Sequence, residues 1–161
     1  MGSLAFTTEI RAPPEKVFAF VSNGENAPRW HRSIKAGRHL TPTPIRVGTL
    51  LEVHAHLGRK DFGWVQEVTE WAPPHRFTDR MLTGRRAEEK ELPLPPFREF
   101  EDHCEIEPRG ASSGMRFRLH YVLPYGPLGS LIDWLFLRSR VRRETQESLL
   151  ELKKLLESDG R

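Results

Sequence analysis

Asp79 and Asp102 are the residues of this sequence whose type and spacing best suit chemistry. Asp79 alternates in phase with Phe77 and Met81, and Asp102 with Phe100 and Ile106, so each carboxyl falls on the apolar side of its strand. A carboxyl in an apolar interior is costly unless paired, and its pKa climbs, which fits it for proton transfer in a cyclisation or dehydration. The sequence offers no third catalytic partner, so the preferred reading makes both residues hydrogen-bonded structural groups or ligand anchors. Cys104 shares the phase of Asp102 but has no His and Asn in phase with it, which makes it a small buried hydrophobe rather than a nucleophile.

Other constellations carry less. His54 and His56 are two apart on a strand and in geometry could share a metal, but Leu51, Val53, Ala55 and Leu57 form the apolar set. The histidines are therefore expected on the convex, water-facing side, and no metal is expected. His31, beside Trp30, sits nearer a pocket rim. Trp64, Trp71 and Trp134 could stack on an aromatic ligand, although strand aromatics usually supply core area. Gly126-Pro127-Leu128-Gly129 has no Lys-Ser/Thr and no preceding parallel strand, so it is a helix start and not a phosphate loop; no cofactor is expected.

The elements that must position these residues follow from periodicity. Leu4 to Arg11 alternates as a strand, Pro13-Pro14 stops it, and Val17, Phe18, Phe20 and Val21 mark a short helix ended by Ser22-Asn23-Gly24, with one further turn near Glu25 to Trp30. Strands are expected at Ser33 to Leu40, from Leu51 to Leu57, Phe62 to Trp71, Phe77 to Leu82, Phe97 to Glu107 and Met115 to Leu123. Residues 85–96 combine charge and three prolines without periodicity and read as an exposed loop, mobile and beside a cavity opening. From Pro127 the period becomes helical and continues to Glu157, about 46 Å at 1.5 Å per residue, with a bend expected near Ser139. Between Leu137 and Leu149 only Val141 is apolar, which places the middle of this helix where the core is thin.

The chain has 161 residues, 37% of them hydrophobic and 29% charged, enough for one packed domain over residues 1–161. One cysteine excludes an internal disulfide and a cysteine-based zinc cage. No apolar run approaches the ~18 residues of a membrane span, and the N-terminus has no leader pattern, so a cytoplasmic protein is expected. The net charge of +3 is too mild for nucleic acid unless it clusters. It clusters at Arg138, Arg140, Arg142 and Arg143, but Glu144, Glu147 and Glu151 follow, and the stretch reads as a solvated mixed-sign helical face.

The motifs AxPExVFxFVxNxxNxPRW, VG before the third strand, PPxRF before the fifth, and YxLPYGPLGxLxDxLFLRxRxRR resemble the SRPBCC superfamily, the polyketide cyclase, START and birch-pollen-allergen-like helix-grip proteins. The resemblance spans nearly the whole chain and implies a hydrophobic-ligand cavity between sheet and terminal helix, without implying one reaction. Relatives are expected to carry alternating histidines where this chain has Asp102 and Cys104, and an acid where it has Phe117; Arg85 to Pro95 stands as an insertion after Gly84.

The expected fold is α+β: a curved antiparallel seven-stranded sheet wrapped around a long C-terminal helix, with two short helices after the first strand. The expected function is binding, for transport or sensing, of a hydrophobic small molecule such as a lipid, quinone or polyketide. Its site comprises Trp30, Val53, Ala55, Trp64, Met81, Phe100, Asp102, Cys104, Phe117, Leu119, Tyr121 and Leu135. The alternatives are a polyketide cyclase or dehydratase using Asp79 or Asp102, and a module that binds a protein or anionic partner through its arginines.

Overall fold

A computed structural model describes residues 2–82, 84, 85, 87 and 91–158. The chain runs β1 (Gly2–Ile10), α1 (Pro14–Val21), a 3-10 helix (Gly24–Arg29), β2 (Ile34–His39), β3 (Leu50–Leu57), β4 (Lys60–Ala72), β5 (Arg76–Met81), β6 (Glu99–Arg109) and β7 (Ser112–Val122). It ends in α2 (Gly126–Ile132), a π-helical turn (Asp133–Leu137) and α3 (Arg138–Ser158). Seven antiparallel strands form one sheet in the order β1-β7-β6-β5-β4-β3-β2, in which β2 to β7 pair with their sequence neighbours and β1 closes the far edge against β7. This is the α+β helix-grip arrangement expected from the sequence.

Alternation buries Leu4, Phe6 and Ile10 from β1 and Met115, Phe117, Leu119 and Tyr121 from β7. Val17, Phe18 and Val21 of α1 close one end of this core, and Leu149, Leu152 and Leu156 of α3 cross it. Trp71 belongs here, edge-on to Phe18 at 5.0 Å, and so supplies core area. The 3-10 helix lies directly on β2, an approach that glycine at 37 permits, since a Cβ there would run into the Gly24 carbonyl. Arg32 donates its backbone N–H to Ser148 Oγ at 3.0 Å, which ties the following loop to α3.

Two expectations about this scaffold are corrected. The helical irregularity falls at Asp133–Leu137 and not at Ser139. The loop after β5 is docked where it is described: the Pro93 carbonyl accepts from Gly63 N at 3.0 Å and the Arg85 carbonyl from Val65 N at 3.2 Å. Ala87 is buried, and Ala87 and Leu92 lie against Gly63. β4 is longer than β5, so its first half, paired with β3 on one side, has backbone donors with no strand on the β5 side. Proline has no N–H but keeps its carbonyl, and these carbonyls supply the missing acceptors. The mobility expected of residues 86 and 88–90 lies outside the described residues.

Candidate functional site

Between the concave face of β3 to β7, the loop from Val21 to Gly37 and the middle of α3 lies a cavity of about 160 Å³. That is the scale of the ~150 Å³ apolar cavities that accept a single aromatic ring. Strand alternation supplies most of the wall: Leu51, Val53 and Ala55 from β3, Phe62 and Trp64 from β4, Phe100, Asp102 and Cys104 from β6, and Met115, Phe117 and Leu119 from β7. Val141, Glu144 and Thr145 of α3 form the opposite wall, three and four residues apart on one helix face. Pro95, Pro96 and Phe97, at the end of the long loop, complete the rim, so the loop does lie beside the cavity.

Asp79 and Asp102 face each other directly across the β5–β6 pair and both line this space. Removal from water raises Asp79 well above the ordinary carboxylate range, and the Asp102 charge raises it further. Burial, reinforced by the Glu101 charge, raises Asp102 to about 7, against which the backbone N–H groups of Asp79 and Asp102 pull it down. Both carboxyls are thus easier to protonate than a free aspartate, because burial and each other's proximity disfavour two charges in one apolar space. Cys104, next along the same face, has its thiol pushed up by burial and by both aspartates, and it stays protonated.

Across the cavity, burial and then the neighbouring His56 hold His31 down at about 4, so its imidazole is neutral at physiological pH. Its Nδ1 accepts from the Ser33 backbone N–H at 3.3 Å, and the Ser33 hydroxyl donates to Glu144. Trp64 Nε1 donates to Gln66 at 3.3 Å. Three buried polar atoms of lining residues have no hydrogen-bond partner: Trp30 Nε1, His56 Nδ1 and Asp102 Oδ1. The cavity therefore presents an apolar wall with a donor, an imidazole nitrogen and a carboxyl oxygen left to engage a bound molecule.

Of the residues named from the sequence, Trp30, Val53, Ala55, Trp64, Phe100, Asp102, Cys104, Phe117 and Leu119 line this cavity, as does Asp79. Three do not. Met81 is buried opposite Gln66, one alternation beyond Asp79 and outside the wall. Tyr121 is buried behind it, where its hydroxyl donates to Asp133. Leu135 is 49% exposed, because Asp133 and not Leu135 takes the inward position on the helix.

His54 and His56 are not both on a water-facing surface. The side chain of His54 is only 16% exposed, with Nε2 at 3.6 Å from Asp61, and His56 lines the cavity. The register of β2 shifts between Ile34 and Ala36, opposite this end of β3. Among the described residues no group of three or more His, Cys, Asp or Glu side chains is placed to hold a metal ion.

The wall from α3 was missed as a binding surface, although its signal was present: Val141 is the lone apolar residue in a polar stretch, with Thr145 one turn on. Gly24 and Ala27 of the 3-10 helix and Ile34 and Gly37 of β2 were not marked as wall by any periodic apolar signal.

Several solved structures share this fold. The protein TTHA0849 from Thermus thermophilus superposes with a TM-score of 0.77 at 18% identity, over 99% of this chain and 100% of that one. A START superfamily protein from Mycobacterium smegmatis gives 0.73 at 19% identity, over 97% of each chain. The Zhui aromatase/cyclase from a Streptomyces species gives 0.76 at 13% identity, over 99% of this chain and 96% of that one. No curated protein matches the sequence. A family model described as polyketide cyclase / dehydrase and lipid transport matches residues 1–157, and with that match and this fold the chain belongs to that family, a protein of SRPBCC type.

Proposed function

We propose that the chain binds a hydrophobic small molecule in the cavity between sheet and α3, with Asp102 as the polar anchor. The observation that carries this reading is the unpartnered Asp102 Oδ1 in an otherwise apolar wall. An apolar ligand gains roughly 25 cal/mol per Å² buried, and one hydroxyl or carbonyl facing Asp102 would satisfy a group whose desolvation already costs about 1–3 kcal/mol. Trp64, with Phe100 centred 6.5 Å away, offers an aromatic flank for a ring.

Native mass spectrometry of protein purified without organic extraction should show a bound small molecule. Ala55→Trp, which fills the space from a buried wall position, should remove it while leaving a cooperative melt. Retention of the same ligand by the filled variant would refute the site.

One observation favours a second reading, a cyclase or dehydratase: with Asp102 at about 7, both its protonation states are populated at neutral pH, as a general acid or base requires. Under that reading Asp102→Asn loses about a hundredfold or more in turnover, whereas a binding protein shows only a modest change in affinity.

A further inference from the structure

The segment from Gly126 to Leu137 is a helix turned inside out. Its charged residue, Asp133, is buried with Gly129, while Leu128, Leu131, Ile132, Trp134, Leu135 and Phe136 point to solvent. Trp134 is 69% and Phe136 71% exposed. A monomeric globular protein rarely leaves so continuous an apolar surface uncovered. The placement is enforced from within, because the Tyr121 hydroxyl donates to Asp133 and Gly129 sits where a Cβ would strike the Pro124 carbonyl.

The arginines begin at the next residue, Arg138. Read from sequence, Glu144, Glu147 and Glu151 balance them, but the structure directs those carboxylates elsewhere: Glu147 pairs with Arg32, Glu151 with Lys154, and Glu144 accepts from Ser33 and stands 4.0 Å from Arg140 alone. Arg142 and Arg143 are exposed with no acidic partner among the described residues. A groove lined by Ile132, Phe136, Leu123, Arg140 and Arg143 runs along this helix to Leu57 and Pro96, which also line the ligand cavity.

We infer that this helix docks the protein on an anionic lipid surface, with Trp134, Phe136 and their leucines in the headgroup–acyl boundary and the arginines at the phosphates. An exposed apolar face with aromatics, bordered by unpaired arginines, is what an interfacial helix presents. The exposed arginines that border this apolar face fit an anionic surface, whereas a second copy packed on it would bring arginines toward arginines, and a bilayer needs no matching shape. The docked face adjoins the cavity rim at Leu57 and Pro96, so an apolar ligand would pass between bilayer and cavity with little exposure to water. The docking itself does not depend on which ligand the cavity takes, and no helix of the described residues is long and apolar enough to cross the membrane.

The test is flotation of the full chain with vesicles of phosphatidylcholine alone and of phosphatidylcholine mixed with phosphatidylglycerol. Binding is expected on the mixed vesicles and should weaken at high salt. Arg142→Gln with Arg143→Gln should lower it by about 25-fold, at roughly fivefold per arginine. Trp134→Ser with Phe136→Ser should lower it by about tenfold or more. All four positions are exposed, so the variants should melt with the wild type, and a thermal melt checks this. Wild-type protein that fails to float with mixed vesicles, or variants that melt normally and float as well as wild type, would overturn the inference. So would sedimentation velocity showing a stable dimer that Trp134→Ser dissociates while vesicles bind neither form.

Discussion

Replacing Asp102 by Asn should stabilise the folded chain at neutral pH by on the order of 4 kcal/mol, a rise of about 10 °C in melting temperature for a protein of this size. The carboxyl goes from an ordinary 3.8 to about 7 on folding. Below pH 4 it is protonated in both states and costs nothing. Between pH 4 and 7 the folded chain holds a proton that the unfolded chain has released, so stability falls by roughly 1.4 kcal/mol per pH unit. Above pH 7 the loss is complete, and the folded chain carries a buried charge opposite a second carboxyl. Asn keeps the shape and cannot ionise, and it also relieves Asp79 of its neighbour's charge.

Urea unfolding at pH 5 and pH 8 reads this directly: the wild type should lose stability between the two, and the Asn variant should lose less, keeping only the part that buried Asp79 contributes. Parallel losses would mean that Asp102 ionises freely in the folded chain. A residue maintained at that cost to stability is the kind found at functional sites, and the cost falls on the group proposed to meet the ligand.

The parts of the molecule that were legible in the sequence are those where one residue's environment follows from strand or helix period. Val53, Ala55, Phe100, Asp102, Cys104, Phe117 and Leu119 all reach the cavity wall by alternation alone. Even the facing of Asp79 and Asp102 was half visible, since both phases could be assigned but not the register that sets them opposite. Tertiary contacts decided the rest. His56 joins the wall at the end of β3, opposite a register shift in β2, and the loop after β5 docks because β4 is longer than its partner. Neither strand length nor bulge is written in local composition. For α2, a stripe of leucines at helical spacing points to a core-facing helix, but one inward aspartate reverses the face.

That reversal leads to the second large effect. Tyr121→Phe should destabilise the protein by about 3 kcal/mol or more, an unusually large loss for deleting one oxygen atom. Tyr121 is 1% exposed and Asp133 5% exposed, and the tyrosine hydroxyl donates to the carboxylate. Burial and this hydrogen bond push the phenol up, so at physiological pH it is always a donor. With phenylalanine the volume is kept and the ring still packs against Phe97, 5.7 Å between centroids, so no cavity forms. What is lost is the donor to a buried acidic group, and stripping such a group of its partner costs more than the hydrogen bond itself contributes.

The double variant Tyr121→Phe with Asp133→Leu separates these terms, because it removes both polar partners and should recover much of the loss in a double-mutant cycle. If Tyr121→Phe instead costs under about 1 kcal/mol, the usual worth of a neutral hydrogen bond, then Asp133 is not held inward by the tyrosine. Chemical unfolding of these two variants and of Asp133→Leu alone gives the answer. Flotation of the same variants then tests the link to α2, since a helix released from this pin is free to turn its leucines inward and should lose affinity for anionic vesicles along with stability.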